Sequence, residues 1–228
     1  MFANYLKIAW RNLVKYKTYS IINIAGLSIG MACTVLILLW VQNELSYDRF
    51  HENRDHIYRV IINYESGASA GTCGALAPAL KQEIPEITEY ARFWHTSPWQ
   101  MYYDGKKIRQ DGIYVDPSIF DVFSFPLIKG NPQNALVDPH SIVLTEKVAT
   151  LLFGNDESLG KTIHIKNRWG EKEAFHVTGI TPNIPRNSHL QFDFLFSYNL
   201  LKEWCNPTFA EKWTNYSFTA YVLTQSNV

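Results

Sequence analysis

The sequence predicts an α+β protein in which an amphipathic helix and one membrane-spanning helix precede a mixed α/β core domain. Three observations support this class: a basic first segment with a helical period, a long uncharged apolar segment, and a succession of short β-rich segments with two helical segments among them. A chain of 228 residues has room for one anchor and one domain of ordinary size. We therefore place the amphipathic helix at residues 1–18, the membrane helix at 19–45 and the core domain at 46–228.

The first segment carries two sets of side chains that recur at the spacing of a helix. The apolar set is Leu6, Trp10, Leu13 and Val14, and the basic set is Lys7, Arg11 and Lys15, with Lys17 following. Such a helix lies in a membrane interface with its apolar face among the lipid chains. The basic residues can also act only as topology signals, and the two interpretations are compatible.

The second segment is uncharged from Thr18 to Asn43, and eleven of the 21 residues from Ile21 to Val41 are Leu, Ile or Val. This length crosses the ~30 Å hydrocarbon core of a bilayer. A core helix of a soluble protein would need more surrounding chain than is present here. A cleaved signal peptide would have an apolar region of roughly 7 to 15 residues and a small-residue cleavage site. We therefore expect a retained membrane helix.

The charges flanking this helix are asymmetric. Four basic residues precede it, whereas Glu44 is the first acidic residue of the chain. The positive-inside rule places the N-terminus in the cytoplasm and everything after about residue 45 on the other side of the inner membrane.

Small residues recur on one face of the predicted membrane helix, at Gly26, Gly30 and Thr34. Small side chains let two helix backbones approach closely, so we expect this face to pack against another membrane helix. Residues 26–30 also match the Gly-x-Ser-x-Gly pattern of a hydrolase elbow. That elbow requires a sharp strand-to-helix turn, and Ser28 lies within a predicted helix, so it is not a nucleophile.

The remaining chain alternates between short β-rich segments and turn signals. Asp104-Gly105 predicts a hairpin turn, Thr145 an N-cap, and Gly154 the end of the helix that follows Thr145. Helices are predicted over 74–84 and 145–152. Strands are predicted over 57–64, 87–94, 99–103, 106–115, 141–144, 161–165, 174–180, 192–197 and 217–224.

Composition argues against several functions. Since four of the 21 basic residues precede the membrane segment, 17 remain against 21 acidic residues, with no basic tract for nucleic acid. No Cys-x-x-Cys or His-Glu-x-x-His spacing indicates a metal site, and no cofactor is predicted. Cys33 falls in the apolar segment, which leaves only Cys73 and Cys205 able to pair, and we expect two free thiols.

Residues 154–162 read G-N-D-E-S-L-G-K-T and approach the pattern of a phosphate-binding loop. The spacing is one residue too long, and a predicted helix precedes the segment while a strand follows it. A phosphate-binding loop runs from a strand into a helix, so we expect no ATP binding here. We assign no catalytic residue.

Four longer segments together resemble the permease subunits of MacB/FtsX-like ABC transporters. They are NYLKIAWRNLVKYKTYSIINIAGLSIG (4–30), ELSYDRFHENRDHIYRV (44–60), SIVLTEKVATLLFGNDESLGKTI (141–163) and VTGITPNIPRNSHLQFDFLFS (177–197). The resemblance covers nearly the whole chain and implies an N-terminal helix, a first membrane span and a periplasmic core domain. It further implies a permease dimer in which a cytoplasmic ATPase drives motions of the periplasmic domains, for export or for regulation of envelope enzymes.

The resemblance also sets the expected partners. Met1 lies only a few residues before the amphipathic helix, so the ATPase is expected to be a separate polypeptide. A second permease copy, membrane lipids and a periplasmic protein are the other expected partners, and nucleic acid is not one.

One feature departs from the family. Its permeases continue into three further membrane helices, whereas no second apolar span occurs between Glu44 and Val228. A truncated permease and a diverged anchor-plus-domain protein both remain open. Two other functions compete with the permease: a membrane-tethered hydrolase, for which no motif positions Ser, His and Asp, and a free-standing interaction or sensory module.

Overall fold

The structure is a computed structural model that describes residues 2–65, 67–96, 98–167, 169–205 and 207–225. The chain divides into two compact units, Met1–Tyr47 and Asp48–Val228. The first unit consists of helix α1 (Phe2–Lys15) and helix α2 (Lys17–Leu45). Tyr16 separates them because its backbone dihedrals, φ −108° and ψ 57°, leave the helical region.

Helix α2 has the properties of a membrane span. It has 29 residues, so it is ~44 Å long, and none of its side chains is buried within the chain. It is long and apolar enough to cross a membrane by length and composition.

The second unit begins with a 3₁₀ turn at Arg54–His56 and contains five helices and thirteen strands within the described residues. The helices are α3 (Leu76–Glu83), α4 (Ile119–Val122), α5 (Glu146–Phe153), α6 (Asn199–Trp204) and α7 (Pro207–Glu211). The strands are β1 (Ile57–Arg59), β2 (Ile62–Tyr64), β3 (Gly67–Ser69), β4 (Ile87–His95), β5 (Trp99–Tyr103), β6 (Lys106–Gln110), β7 (Gly112–Val115), β8 (Lys129–Gly130), β9 (Ser141–Thr145), β10 (Thr162–Lys166), β11 (Lys172–Thr181), β12 (Phe194–Ser197) and β13 (Thr219–Thr224).

Eleven of these strands form one mixed sheet. Its order is β1-β13-β4-β7-β12-β9-β11-β10-β5-β6, and β8 pairs with β11. Strands β7 and β12 run parallel, as do β9 and β11, and the other neighbouring pairs of the sheet are antiparallel. The small hairpin β2-β3 stands apart from this sheet. The predicted α+β class is confirmed.

The sheet is buried on both faces at its centre. Strands β7, β9 and β12 are buried along their full length, as expected for strands covered on both sides. Tyr114 and Phe196 point into one hydrophobic cluster. Ile113, Val115 and Leu195 point into the other. The alternation along each strand therefore divides the core into two layers.

Two predicted strands are each divided in the structure. The segment 57–64 forms β1, which pairs with β13, and β2, which pairs with β3. The pattern of apolar residues in 57–64 was misleading, because Tyr58, Ile61 and Tyr64 are 50%, 54% and 45% exposed and are not buried against one sheet. The segment 106–115 divides at Asp111, whose carbonyl accepts a hydrogen bond from the N–H of Asp193.

The hairpin turn is confirmed, because Asp104 and Gly105 take φ values of 45° and 73° between β5 and β6. Gly154 ends α5 as predicted. Thr145 occupies the N-cap position of α5 as predicted, but its hydroxyl donates to the carbonyl of Asp193 and makes no capping hydrogen bond. The side-chain oxygen of Asn183 instead accepts from the N–H of Lys147, in the first turn of α5.

Candidate functional site

The small residues of α2 lie on an open face of the single chain. A Cβ atom added to Gly26 or Gly30 would meet no atom within 4 Å. The hydroxyl of Thr34 donates to the carbonyl of Gly30 at 2.8 Å, so it is satisfied within its own helix. Packing of this face against another helix stays a prediction. Ser28 lies inside α2, away from any strand-to-helix turn.

The basic and aromatic residues of the first segment lie where the sequence places them. Lys7, Trp10, Arg11 and Lys15 are on α1, and Lys17 opens α2. Trp10 is 69% exposed, which suits an indole that enters a membrane interface. Their interfacial and topological roles stay predictions.

The Gly-Lys-Thr segment has the reversed context that the sequence predicts. It connects α5 to β10, and the Lys161 ammonium lies 3.8 Å from a carboxylate oxygen of Asp156. It also lies 5.7 Å from the centre of the Tyr103 ring. No helix begins at this segment to bind phosphate through its N-terminus.

The core domain contains a hydrogen-bonded group that sequence reasoning missed. We define the Asp48 cluster as Asp48, Ser188, His189 and Tyr221. One oxygen of Asp48 accepts from the Ser188 hydroxyl at 3.0 Å and from the His189 N–H at 3.1 Å. The other oxygen lies 2.7 Å from His189 Nδ1, and His189 Nε2 lies 2.7 Å from the Tyr221 hydroxyl. Because a carboxylate only accepts, Nδ1 of His189 carries a proton.

Backbone geometry fixes the first residue of this cluster. Asp48 has a φ of 54°, in the left-handed region, and its N–H donates to the carbonyl of Asn187 at 2.9 Å. Aspartate tolerates this conformation better than most residues do. The hydrogen bonds hold Asp48 against the loop that precedes β12 and offset the cost of its left-handed backbone conformation.

The Asp48 cluster does not form a hydrolase triad. The Ser188 hydroxyl bonds to the carboxylate and not to the imidazole, so no base activates it. Burial raises the pKa of Tyr221, which opposes ionisation of the hydroxyl that does face the imidazole. The cluster therefore connects three segments of chain without providing an activated nucleophile.

A cavity of about 350 Å³ adjoins the Asp48 cluster. His51, Arg54, Arg59 and Phe123 help to line it. His51 is 3% exposed, and neither of its ring nitrogens has a hydrogen-bond partner among the described residues. Burial lowers the pKa of His51 to about 4, so the ring is neutral at pH 7.

A buried ion pair lies elsewhere in the domain. Arg92 donates from Nε and Nη2 to the two carboxylate oxygens of Asp116 at 2.8 and 2.7 Å, and from Nη1 to the carbonyl of Gly74. Its guanidinium lies 3.9 Å from the centre of the Tyr198 ring. Burial alone would lower the pKa of Arg92, but hydrogen bonding and the charge of Asp116 raise it above its usual value. The pair joins β4, the end of β7 and the segment before α3.

A cleft of about 910 Å³ is lined partly by Trp94, Trp99 and Trp169. His95 and Lys166 are its ionisable lining residues, and burial lowers the pKa of His95. A carboxylate that could orient the imidazole does not occur among the lining residues. The described part of the chain also contains no group of three metal-binding side chains.

Known proteins were compared with the chain. The family model described as the MacB-like periplasmic core domain matches residues 20–228. A crystallised domain of a protein described as a permease, from Porphyromonas gingivalis, is 25% identical with a TM-score of 0.67, and the match covers 78% of this chain and 79% of that one. No curated protein matches the chain.

Two further solved structures share less sequence with it. The extracellular domain of the noncanonic ABC-type transporter YknZ from Gram-positive bacteria is 16% identical with a TM-score of 0.54, covering 75% of this chain and 84% of that one. The periplasmic region of MacB from Actinobacillus actinomycetemcomitans is 18% identical with a TM-score of 0.48, covering 67% and 64%. The YknZ likeness concerns the fold alone.

Proposed function

Because the chain belongs to the family of the MacB-like periplasmic core domain of ABC transporter permeases, we propose that it is a permease component without ATPase activity of its own. A separate cytoplasmic ATPase hydrolyses ATP, and the resulting motion of α2 reaches the exported domain. The domain then acts on cargo or on envelope proteins. A second copy of the permease completes the assembly in the inner membrane.

The family match carries this proposal. It extends without interruption from residue 20, within α2, to residue 228, so it includes both an apolar helix and the domain that follows it. A soluble enzyme domain attached to an unrelated anchor would not be expected to match in this way. The geometry of the Asp48 cluster also gives no support to the hydrolase alternative.

The covalent route from α2 into the domain is short. Only Ser46 and Tyr47 separate the end of α2 from Asp48. Asp48 is bound by both carboxylate oxygens and by its backbone N–H, so a displacement of α2 would be transmitted to residues 187–189 and to β13. A short and well-anchored connection suits a part that transmits motion.

Purification of the tagged chain from its native membranes in mild detergent tests this proposal. We expect an ABC ATPase to co-purify, and nucleotide with vanadate to change the labelling rate of a cysteine placed in the exported domain. A variant with α2 replaced by an unrelated membrane helix is the matched control, and it should lose the response to nucleotide. An isolated chain with no nucleotide-binding partner would contradict the proposal and favour a free-standing module.

A further inference from the structure

The cavity beside the Asp48 cluster has more hydrogen-bond donors than acceptors. Arg54 and Arg59 contribute two guanidinium groups to its lining, whereas Asp48 contributes one carboxylate. Arg59 lies with Cζ 5.9 Å from the centre of the Tyr221 ring, which places its charge beside the cavity wall. Arg54, Arg59 and Asp48 together therefore give the lining a net positive charge.

The single carboxylate is already engaged. Both oxygens of Asp48 accept hydrogen bonds from Ser188 and His189, at distances from 2.7 to 3.1 Å. Arg59 has no carboxylate within 4.0 Å among the described residues. Arg54 lies only 3.6 Å from Asp55, in a pair whose side chains are 49% and 78% exposed. Such an exposed pair stabilises little. Nη1 of Arg54 also donates to the carbonyl of Arg49 at 3.2 Å, and the remaining N–H groups of the guanidinium can reach a ligand.

His51 is an independent sign of a ligand. It is 3% exposed, it lines the cavity, and neither ring nitrogen has a partner among the described residues. The rings of Phe123 and Phe125 pack edge-on against it, with centres 5.1 and 4.9 Å away. Buried polar groups are almost always hydrogen-bonded, and a neutral imidazole still offers one N–H donor.

We propose that this cavity binds a phosphate group through Arg54, Arg59 and the N–H of His51. Guanidinium groups match the geometry of phosphate oxygens and bind them by paired, charge-assisted hydrogen bonds. A phosphate presents more acceptor oxygens than a carboxylate, which suits three separate donors. A volume of about 350 Å³ accommodates the group together with part of the molecule that carries it.

The phosphate has two possible sources. One is a soluble phosphate ester, and the other is the headgroup of a phospholipid. Only Ser46 and Tyr47 separate the end of the apolar helix α2 from Asp48, which lines the cavity. The experiment therefore tests the lipid source in a separate arm. Both sources present the same chemistry to the cavity, so the binding residues are the same in either case.

The experiment uses the full chain in nanodiscs of digalactosyldiacylglycerol, a lipid without phosphate, with ring-labelled histidine and inorganic phosphate as the probe. We expect one of the seven histidine signals, assigned to His51 by its loss in His51→Asn, to shift with saturation as phosphate is added at constant ionic strength. Arg59→Gln should weaken binding at least tenfold, since it removes a charge-assisted contact from an exposed edge-strand residue.

Arg186→Gln is the matched control, because it removes the same charge from an exposed residue that does not line the cavity. It should leave the affinity within about twofold. In the lipid arm, nanodiscs containing phosphatidylglycerol should shift the same signal without added phosphate if the headgroup is the source, and leave it unchanged if the source is soluble. Absence of a saturable His51 shift with every probe, or equal weakening by Arg59→Gln and Arg186→Gln, would overturn the proposal.

Discussion

At the scale of single residues, the Arg92–Asp116 pair is a buried ion pair with paired side-chain hydrogen bonds. Both residues are nearly inaccessible, at 5% and 6% exposure, and their side chains make two hydrogen bonds to each other, at 2.8 and 2.7 Å. Asp116 also accepts from the backbone N–H of Arg92. Removing one partner leaves the other charge buried without compensation.

We therefore predict that Asp116→Ala destabilises the full chain by about 3 to 5 kcal/mol. Chemical unfolding in detergent, followed by tryptophan fluorescence, measures the loss. Lys129→Ala is the matched control, because Lys129 and Glu157 form a pair whose side chains are 44% and 63% exposed. That substitution should cost less than about 1 kcal/mol. Equal effects of the two substitutions would show that Asp116 is not held by a buried charge.

His51 makes stability depend on pH. Its pKa is about 4 in the folded chain and about 6.5 when exposed, so below pH 6.5 the unfolded chain gains a proton that the folded chain does not. Stability should fall as the pH is lowered from about 6.5 to about 4, by on the order of 3 kcal/mol. Thermal unfolding in phosphate-free buffers measures this, and His51→Phe should reduce the slope.

Part of the slope should persist in His51→Phe, because burial also lowers the pKa of His95. A slope that His51→Phe does not change would contradict the assignment.

The sequence could not reveal the Asp48 cluster. Asp48 and His189 are 141 positions apart, and their contact depends on the folded sheet bringing the two segments together. Both residues lie within segments that carry the family resemblance, and this resemblance was the only feature of the sequence that linked the two segments. The helix-before-strand order at the Gly-Lys-Thr segment could be predicted from sequence because it depends on local pattern alone, and the absence of ATP binding there stays a prediction.

At the scale of elements, prediction succeeded where burial and turn chemistry acted together. Strands β7, β9 and β12 are rich in apolar residues and buried at every position because both faces of the sheet are covered there. The prediction of one continuous strand over 57–64 was wrong because this segment begins at the sheet edge, where few contacts specify the partner strand. Thr145 lies at the predicted N-cap of α5, but its hydroxyl bonds to Asp193, which is distant in sequence and which local pattern does not reveal.

The small-residue face of α2 leads to a prediction at this scale. Replacing Gly26 and Gly30 by Leu should weaken helix association while preserving insertion, because Leu blocks close backbone approach but makes the segment more apolar. Cross-linking of the full chain to itself and to a full-length permease measures association. We expect a loss of more than half of the cross-linked product.

Substitutions on another face control for this result. Leu27→Phe together with Leu38→Phe changes bulk at exposed positions of the same helix without touching the glycines. These two substitutions should leave the amount of cross-linked product unchanged. If both pairs of substitutions behave alike, the small residues do not define a packing face and α2 serves only as an anchor.

At the scale of the whole molecule, the fold class and the family followed from the sequence because they depend on long patterns. One apolar segment and a succession of short strands predict an anchored α+β domain, and the family model confirms the resemblance. Strand order depends on contacts across the whole domain: β13 lies between β1 and β4, and these two are far from it in sequence. Local pattern does not determine that order.

The direction of insertion is the remaining prediction at this scale. Four basic residues precede α2 and Glu44 follows its apolar stretch, so the positive-inside rule keeps α1 in the cytoplasm and exports the domain. Asp104→Cys places a thiol at the exposed β5–β6 turn, and Asn12→Cys places one on exposed α1. In spheroplasts a membrane-impermeant maleimide should label Asp104→Cys at once and Asn12→Cys only after permeabilisation. Labelling of the unsubstituted chain, which keeps its native cysteines, gives the background to subtract. Inverted membrane vesicles should give the opposite order. The reverse pattern in both preparations would place the domain in the cytoplasm and would remove the basis for an exported function.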